Sequence, residues 1–109
     1  MPTDVRLEGP AQKQFEDAPT SVQAALRVRA ADLAQDPQAG EYVPILKVPS
    51  KLTVKKWTAR VGRLTNLYKV ELPSGWRALY TVGSRGSERV VLILEVVDHK
   101  KCERLMGYG

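Results

Sequence analysis

Three basic residues in the C-terminal half of the chain have the types and spacing for chemistry on a phosphodiester. Lys69 and Arg77 lie on either side of the segment Pro73-Ser74-Gly75, and His99 follows a long apolar stretch. Arginine and lysine bind phosphate oxygens, and histidine is the residue type that exchanges a proton near neutral pH. Such groups could cleave RNA without a metal, because the 2′-hydroxyl is the nucleophile and the protein supplies only positive charge and proton transfer.

The positive charge of the chain is concentrated in its second part. The net charge is +5, but residues 1–41 hold four basic and seven acidic side chains, whereas residues 42–109 hold thirteen and five. Eight of the basic residues fall between Lys47 and Arg77, where Glu71 is the only acid. A one-sided positive surface is typical of polyanion binders, although many small proteins are mildly basic for solubility alone. We therefore expect contact with nucleic acid or the ribosome.

Length and composition narrow the class of protein. The 109 residues suffice for one domain, 1–109, with a single modest core. No apolar stretch approaches the roughly 20 residues that cross a membrane, and no secretory signal is visible, so a cytoplasmic protein is expected. Cys102 is the only cysteine, which excludes an internal disulfide and a multi-cysteine metal site. No cluster of Asp, Glu and His has metal-ligand spacing, so neither a metal nor a cofactor is expected.

The N-terminal third predicts one strand and two helices. Alternating apolar residues favour a short strand over 4–8, and Pro10 suits the first position of a helix that a second proline ends. Thr20 with Gln23 forms a capping-box pattern at the start of a second helix, which ends near Asp36. The second helix carries one apolar stripe: Val22, Leu26, Ala30 and Leu33.

Residues 42–66 are read as an irregular or hairpin-like basic excursion that leads into the sheet. Prolines punctuate the segment, and its basic residues surround a tryptophan. Trp57 either stacks on a base or anchors the segment in the core, and both readings stay open. The candidate RNA-binding residues are Lys51, Lys55, Lys56, Trp57, Arg60 and Arg63.

Two strands around the Pro73–Gly75 turn predict a register. Leu72 should pair with Trp76, Glu71 with Arg77, and Lys69 with Leu79. One face is then apolar and packs under the helices, and the other presents Lys69, Glu71 and Arg77 to solvent. On that face Arg77 either binds a phosphate or simply pairs with Glu71. A third strand, over Val90 to Leu94, should be buried at the centre. The residues expected on the apolar face are Tyr68, Val70, Leu72, Trp76, Ala78, Tyr80 and Val82.

The order of strand, two helices and three antiparallel strands resembles the RelE/ParE toxin superfamily of type II toxin–antitoxin systems. Three segments carry the resemblance: Tyr68-Lys69-Val70-Glu71-Leu72, Gly75-Trp76-Arg77-Ala78-Leu79-Tyr80 and Val96-Val97-Asp98-His99-Lys100. The resemblance implies an α+β RelE-like fold, with two N-terminal helices packed on a small twisted antiparallel sheet.

In function, the RelE-like branch implies a metal-independent, ribosome-dependent mRNA endonuclease that a cognate antitoxin neutralises. Its partners would be that antitoxin, the ribosome and mRNA, with no membrane. Lys69 and Arg77 match the basic residues that stabilise the scissile phosphate, and His99 or Lys100 matches the residue after the last strand. Tyr108 is a further catalytic candidate for proton transfer, although it comes later in the chain than the family's usual tyrosine.

Two other functions remain open on this evidence. The ParE branch shares the fold and inhibits DNA gyrase by binding, without catalysis. A catalytically silent homologue that binds only RNA or an antitoxin is the third possibility, since one fold can carry several functions.

Overall fold

The computed structural model describes residues 3–108, which form five strands and four helices. Single 3-10 turns lie at Ile45–Lys47 and Pro73–Gly75. In chain order the elements are β1 (Asp4–Leu7), α1 (Pro10–Asp17), α2 (Thr20–Gln35), β2 (Glu41–Tyr42), α3 (Lys51–Val61), β3 (Tyr68–Glu71), β4 (Arg77–Arg85), β5 (Glu88–Val97) and α4 (His99–Met106).

All five strands join one sheet in the order β1-β5-β4-β3-β2. β4 is antiparallel to both β3 and β5, and β2 extends the sheet beyond β3. β1 runs parallel to β5, with Val5 beside Val91. The sheet is therefore mixed, and the expectation of a wholly antiparallel sheet is wrong at this edge. A parallel pair needs a long crossover, which the many residues between β1 and β5 provide.

The predicted hairpin register is confirmed. Glu71 lies opposite Arg77 and Lys69 lies opposite Leu79, while the Leu72 amide donates a 2.8 Å hydrogen bond to the Trp76 carbonyl. The turn uses two left-handed residues, one of them a glycine, which tolerates a positive φ without steric cost. The proline and glycine of the turn thus fix the register from the sequence alone.

A bulge in the β4–β5 ladder changes which side chains share a face. Leu79 pairs with Glu95, whereas Tyr80 pairs with Ile93, so Leu94 is an extra residue in β5. Cross-strand partners point to the same side of a sheet, so Glu95 projects on the face that Leu79 occupies. An acidic side chain is thereby directed into a buried layer.

The first face of the sheet packs against α1 and α2. The predicted burial of Tyr68, Val70, Ala78 and Tyr80 is confirmed, and all four belong to one buried cluster with residues of α2. Trp76 lies half-buried at the margin of this cluster. The helical residues of the cluster include Val22, Leu26 and Leu33.

The predicted capping box at the start of α2 is wrong. The cap position is Pro19, and no side-chain cap hydrogen bond is formed there. Gln23 instead donates to the carbonyls of Phe15 (2.8 Å) and Glu16 (3.0 Å) in α1. Its amide therefore links α2 to carbonyls at the end of α1, of which the Phe15 carbonyl also accepts from the Ala18 amide at 3.2 Å.

The second face of the sheet is covered by α3, within residues 42–66, and by α4 at the C-terminal end of the chain. The expectation of an irregular excursion over 42–66 is wrong, because Ser50 caps α3 by accepting from the Thr53 amide. Asp98 caps α4 in the same way, by accepting from the Lys101 amide. The two helices bury a second core under this face: Val48, Trp57, Leu67, Leu79, Leu94, Val97, Cys102 and Met106.

The end of α4 docks tightly against the segment before α3. Gly107 ends the helix with φ +91°, and a Cβ there would stand 2.8 Å from the Ser50 amide nitrogen. That amide donates a 3.0 Å hydrogen bond to the Met106 carbonyl. Glycine is therefore required at this position both by conformation and by space. Within residues 3–108 no helix is long and apolar enough to cross a membrane.

Candidate active site

Two of the predicted catalytic cations, Lys69 and Arg77, lie beside each other on neighbouring strands. Lys69 Nζ is 3.2 Å from Glu41 Oε2 and 4.0 Å from Glu71 Oε1. Arg77 Nε is 3.5 Å from Glu71 Oε2, so the cross-strand pair that the register predicts is formed. Glu71 thus bridges the two cations.

Helix α4 adds His99 to the same group through Glu103. Arg77 Nη1 and His99 Nε2 lie 3.9 Å and 3.6 Å from Glu103 Oε1. His99 and Glu103 are one helical turn apart, so their side chains lie on the same side of α4. Asp98 caps this helix and thereby sets where it begins. We call this group the ion-pair cluster: Lys69, Arg77, His99, Glu41, Glu71 and Glu103.

Lys69 and Arg77 are much less exposed than the sequence predicts. Their side chains are 23% and 19% exposed, because α4 covers the face that was expected to meet solvent. Burial disfavours the charge of Arg77, but the adjoining Cys102, Glu71 and Glu103 outweigh it and raise the pKa of the guanidinium. Arg77 Nε is buried and makes no hydrogen bond to the described residues, so this donor is unused.

Cys102 packs against Arg77 from the buried side of α4. The thiol is 3% exposed, and burial raises its pKa although the nearby Arg77 partly offsets the effect. A buried thiol of raised pKa is protonated and poorly nucleophilic at neutral pH. Cys102 therefore serves the packing of α4 rather than the chemistry.

The carboxylates of the ion-pair cluster and His99, which is 55% exposed, are all more exposed than the two permanent cations. Glu41, Glu71 and Glu103 are 68%, 59% and 32% exposed, and they outnumber the two permanent cations. Exposed ion pairs of this kind are worth roughly 0–1 kcal/mol each. Arg77 and Lys69 are themselves only about one-fifth exposed, so their pairs are screened less than fully exposed ones, and the buried Arg77 Nε is not a donor that an incoming anion reaches without movement of the surrounding chain.

Two predicted catalytic residues lie apart from the ion-pair cluster. Lys100 is exposed and follows His99 on α4, about 100° further around the helix. Tyr108 is 56% exposed, and its backbone amide donates to the Glu103 carbonyl at 2.9 Å. Neither side chain forms an ion pair with the cluster in the part of the chain that the structure describes.

Of the two readings of Trp57 that the sequence leaves open, the burial of its side chain supports the anchor in the core. The indole is fully buried in the second core, and its Nε1 donates a 2.9 Å hydrogen bond to Glu95 Oε2. The ammonium of Lys51 is also hydrogen-bonded within the protein, because it donates to the carbonyls of Leu46 and Val48. These two residues hold α3 in place.

The other predicted RNA-binding residues point in different directions from α3. Lys55 and Lys56 are exposed, and Arg60 Nη1 forms a 2.9 Å ion pair with Glu95 Oε2. Arg63 follows the glycine that ends α3 and lines an open groove beyond the helix. A helix distributes successive side chains around its axis, so the six residues do not form a single interface.

Glu95 was missed by the reading of the sequence, which treated its strand as a buried apolar run. The carboxylate is 3% exposed and accepts three hydrogen bonds: from Gln14 Nε2 (2.8 Å), Trp57 Nε1 (2.9 Å) and Arg60 Nη1 (2.9 Å). A buried charge is tolerated only when it is paired and hydrogen-bonded in this manner. The detectable signal was an acid inside an apolar strand, which requires partners from other elements.

Residues 3–108 contain no group of three or more His, Cys, Asp and Glu side chains placed to hold a metal ion. The groups that the site offers for chemistry are therefore guanidinium, ammonium, imidazole and carboxylate.

Comparison with solved structures places the fold. A structure of the E. coli toxin RelE in the free state, with two arginines replaced by alanine, matches 99% of this chain and 94% of its own, with a TM-score of 0.63 and 16% sequence identity. The overall RelE-like α+β fold is thereby confirmed. No protein-family model and no curated protein matches the sequence.

Proposed function

We propose that this protein is the toxin of a type II toxin–antitoxin system and cleaves mRNA on the ribosome without a metal. The observation that carries the proposal is the ion-pair cluster, which joins Lys69, Arg77 and His99 on a RelE-like fold. The fold by itself fits several functions, so the proposal depends on these side chains.

The reaction divides between positive charge and proton transfer. The 2′-oxygen attacks phosphorus, the bond from phosphorus to the 5′-oxygen breaks, and a 2′,3′-cyclic phosphate and a 5′-hydroxyl result. Arg77 and Lys69 stabilise the charge that develops on the phosphorane, and His99 protonates the leaving 5′-oxygen. In-line attack places the 2′-oxygen and the 5′-oxygen on opposite sides of phosphorus, so the proton of the 2′-hydroxyl goes to a carboxylate that is not paired with His99, and Glu71, which lies beside Lys69 and Arg77, is the candidate.

The ion pairs of the site favour a substrate that is held by the ribosome over RNA that is free in solution. At rest each cation of the ion-pair cluster has a carboxylate neighbour, and RNA must displace these carboxylates to reach Arg77. When the ribosome already holds the RNA in place, the RNA can displace these carboxylates without a further loss of its own translational entropy. A cognate antitoxin would inhibit the protein by covering the same cations, and a cytoplasmic location follows from action on ribosomes.

Primer extension on mRNA bound to programmed ribosomes tests the proposal. Wild-type protein should produce discrete cleavage ends, and pre-treatment of the protein with EDTA followed by removal of the chelator should leave this activity unchanged. The double variant Arg77→Met/His99→Gln should be inactive, while Lys13→Ala, an exposed change on α1, should behave as wild type. Absence of cleavage by well-folded wild-type protein on ribosomes would refute the proposal.

A ParE-like inhibitor of DNA gyrase is the second candidate, and one observation favours it. The carboxylates of the ion-pair cluster outnumber its permanent cations, as suits a surface that binds a protein rather than a reacting phosphate. Inhibition of gyrase supercoiling together with intact mRNA on ribosomes would select this function. Failure of both assays, with binding of RNA or an antitoxin retained, would indicate a silent homologue.

A further inference from the structure

A second basic surface lies at the other end of the sheet from the ion-pair cluster. α3 ends at Val61, and beyond it the second face of β4 and β5 is left open as a groove of about 660 Å³. Its floor is formed by strand residues that include Thr81, Gly83 and Leu92. We call it the arginine groove, after the four arginines that line it: Arg60, Arg63, Arg85 and Arg89.

The arginine groove is separated from the ion-pair cluster along the sheet. Arg77 begins β4 and Arg85 ends it, so the two arginines are eight residue steps, roughly 26 Å, apart along the strand. α3 packs over the face between them, with Trp57 buried beneath it. A ligand in the arginine groove therefore does not occupy the candidate active site.

The arginine groove carries an excess of positive charge. Arg63, Arg85 and Arg89 form no ion pair within 4.0 Å among residues 3–108, and the only acid in the groove lining is Glu8. Asp4 is near enough to interact with Arg85, because the pKa of its carboxyl is lowered by the hydrogen bond with Arg6 and also by the charge of Arg85. Arg60 differs, because its guanidinium pairs with the buried Glu95. Four arginines around one concave surface, opposed by the three carboxylates of Glu8, Glu95 and Asp4, leave a net positive local charge that attracts an anion.

The side chains of the groove suit a phosphodiester backbone rather than bases. Every basic residue in the described lining is arginine, whose planar fork matches two phosphate oxygens, and no aromatic residue is present to stack on a base. Hydroxyl groups of Thr65 and Ser84 add neutral hydrogen-bonding capacity at the rim. Contacts of this kind position a nucleic acid without reading its sequence.

We propose that the arginine groove is a second nucleic-acid site, which binds a phosphodiester backbone at a distance from the candidate active site. The binding itself does not require that the protein be a nuclease; the preference for RNA over DNA rests on the proposed function. A duplex segment of RNA held in the groove would anchor the protein while a separate single strand reaches the ion-pair cluster.

Fluorescence anisotropy with a labelled short RNA duplex, and with a DNA duplex of the same sequence, tests this site. The groove variant replaces three cations by glutamine: Arg63→Gln, Arg85→Gln and Arg89→Gln. A matched control removes three exposed cations elsewhere and has the same net charge: Lys13→Gln, Arg29→Gln and Lys47→Gln. All proteins also carry His99→Gln, so that RNA is not cut during the titration.

The groove variant should bind RNA about 10-fold or more weakly, and the slope of log affinity against log salt should fall by roughly 2 to 3. The control should keep most of the affinity and slope. Equal binding to RNA and DNA supports a site for the phosphodiester backbone. Tighter binding to RNA than to DNA supports the same site and also supports RNA as its ligand. Equal losses in the groove variant and the control, or no binding by the parent protein to either duplex, would overturn the proposal. This readout is independent of cleavage, so it can fail while the proposed nuclease stands.

Discussion

The ion-pair cluster and the arginine groove contain similar cations in opposite electrostatic situations. In the cluster, Arg77 lies near two carboxylates and its side chain is 19% exposed. In the groove, Arg63, Arg85 and Arg89 form no ion pair within 4.0 Å in the described chain, and Arg85 interacts with Asp4 at longer range. In the net charge of +5, each cation of the cluster and of the groove contributes equally, whatever its surroundings. The difference indicates that the groove provides salt-sensitive affinity, whereas the cluster holds its cations in place for one phosphate.

The largest expected effect separates chemistry from affinity. His99→Gln keeps a hydrogen-bonding side chain but cannot carry the exchangeable proton, so cleavage on ribosomes should fall about 100- to 10,000-fold. Arg89→Gln, which changes the groove, should alter cleavage at saturating ribosomes far less. Single-turnover primer extension measures both. A similar loss in the two variants would mean that the cluster and the groove do not divide the work as proposed.

Removal of the central cation of the cluster should have the next largest effect. Arg77→Met keeps an apolar stem under α4 but loses the guanidinium, and the cleavage rate should fall roughly 100- to 1,000-fold, as when one key electrostatic stabiliser is removed. Circular dichroism and the urea midpoint show whether the fold is retained. A well-folded Arg77→Met protein with wild-type cleavage would exclude Arg77 from the reaction.

The buried Glu95 should matter for stability more than for chemistry. Glu95→Ala leaves Trp57 Nε1, Gln14 and Arg60 without their acceptor, at a cost of about 3–5 kcal/mol in the free energy of unfolding. Glu95→Gln keeps an acceptor and should cost less. The matched control Glu88→Ala, an exposed acid of β5, should stay within about 0.5 kcal/mol in the same urea titration. Equal behaviour of Glu95→Ala and Glu88→Ala would contradict the structural role assigned to this carboxylate.

The smallest expected effect tests charge compensation in the cluster directly. Glu71→Gln removes the carboxylate that bridges Lys69 and Arg77, so RNA no longer has to displace it. Glu71 is 59% exposed and lies 4.0 Å and 3.5 Å from the two cations, so its pairs are worth on the order of 1 kcal/mol and affinity for RNA should rise about 5-fold. Glu88→Gln serves as the charge-matched control. Weaker RNA binding by Glu71→Gln, measured by anisotropy at fixed salt, would show that Glu71 organises the site instead of blocking it.

Local signals predicted the hairpin well and the second layer of helices poorly. The Pro73–Gly75 turn sets the pairing of Glu71 with Arg77, because a turn and a two-residue alternation act over a few residues. α3 also carries clear end signals, with Ser50 as its cap and Gly62 after its last turn. The prolines near these end signals and the high charge of the segment are also typical of loops, so the segment was predicted to be irregular rather than helical.

The sequence indicated the residue types of the candidate site, but it did not predict that Lys69 and Arg77 would be largely buried. The sequence singled out Lys69, Arg77 and His99, and the structure joins them through Glu71 and Glu103. The burial of Lys69 and Arg77 depends on α4, whose position requires Gly107 to pass close to Ser50. No pattern within α4 itself specifies that contact.

Strand parity, the hairpin register and the segregation of positive charge follow from the sequence, because each depends on neighbouring residues or on composition alone. Which cations form close ion pairs and which do not depends on how the elements pack. That outcome depends on a bulge at Leu94 that turns Glu95 inward to Arg60, and on the end of α3 that leaves Arg63 beside an open groove. Electrostatic compensation acts through space between residues far apart in the chain, so it follows only from the packing of all the elements.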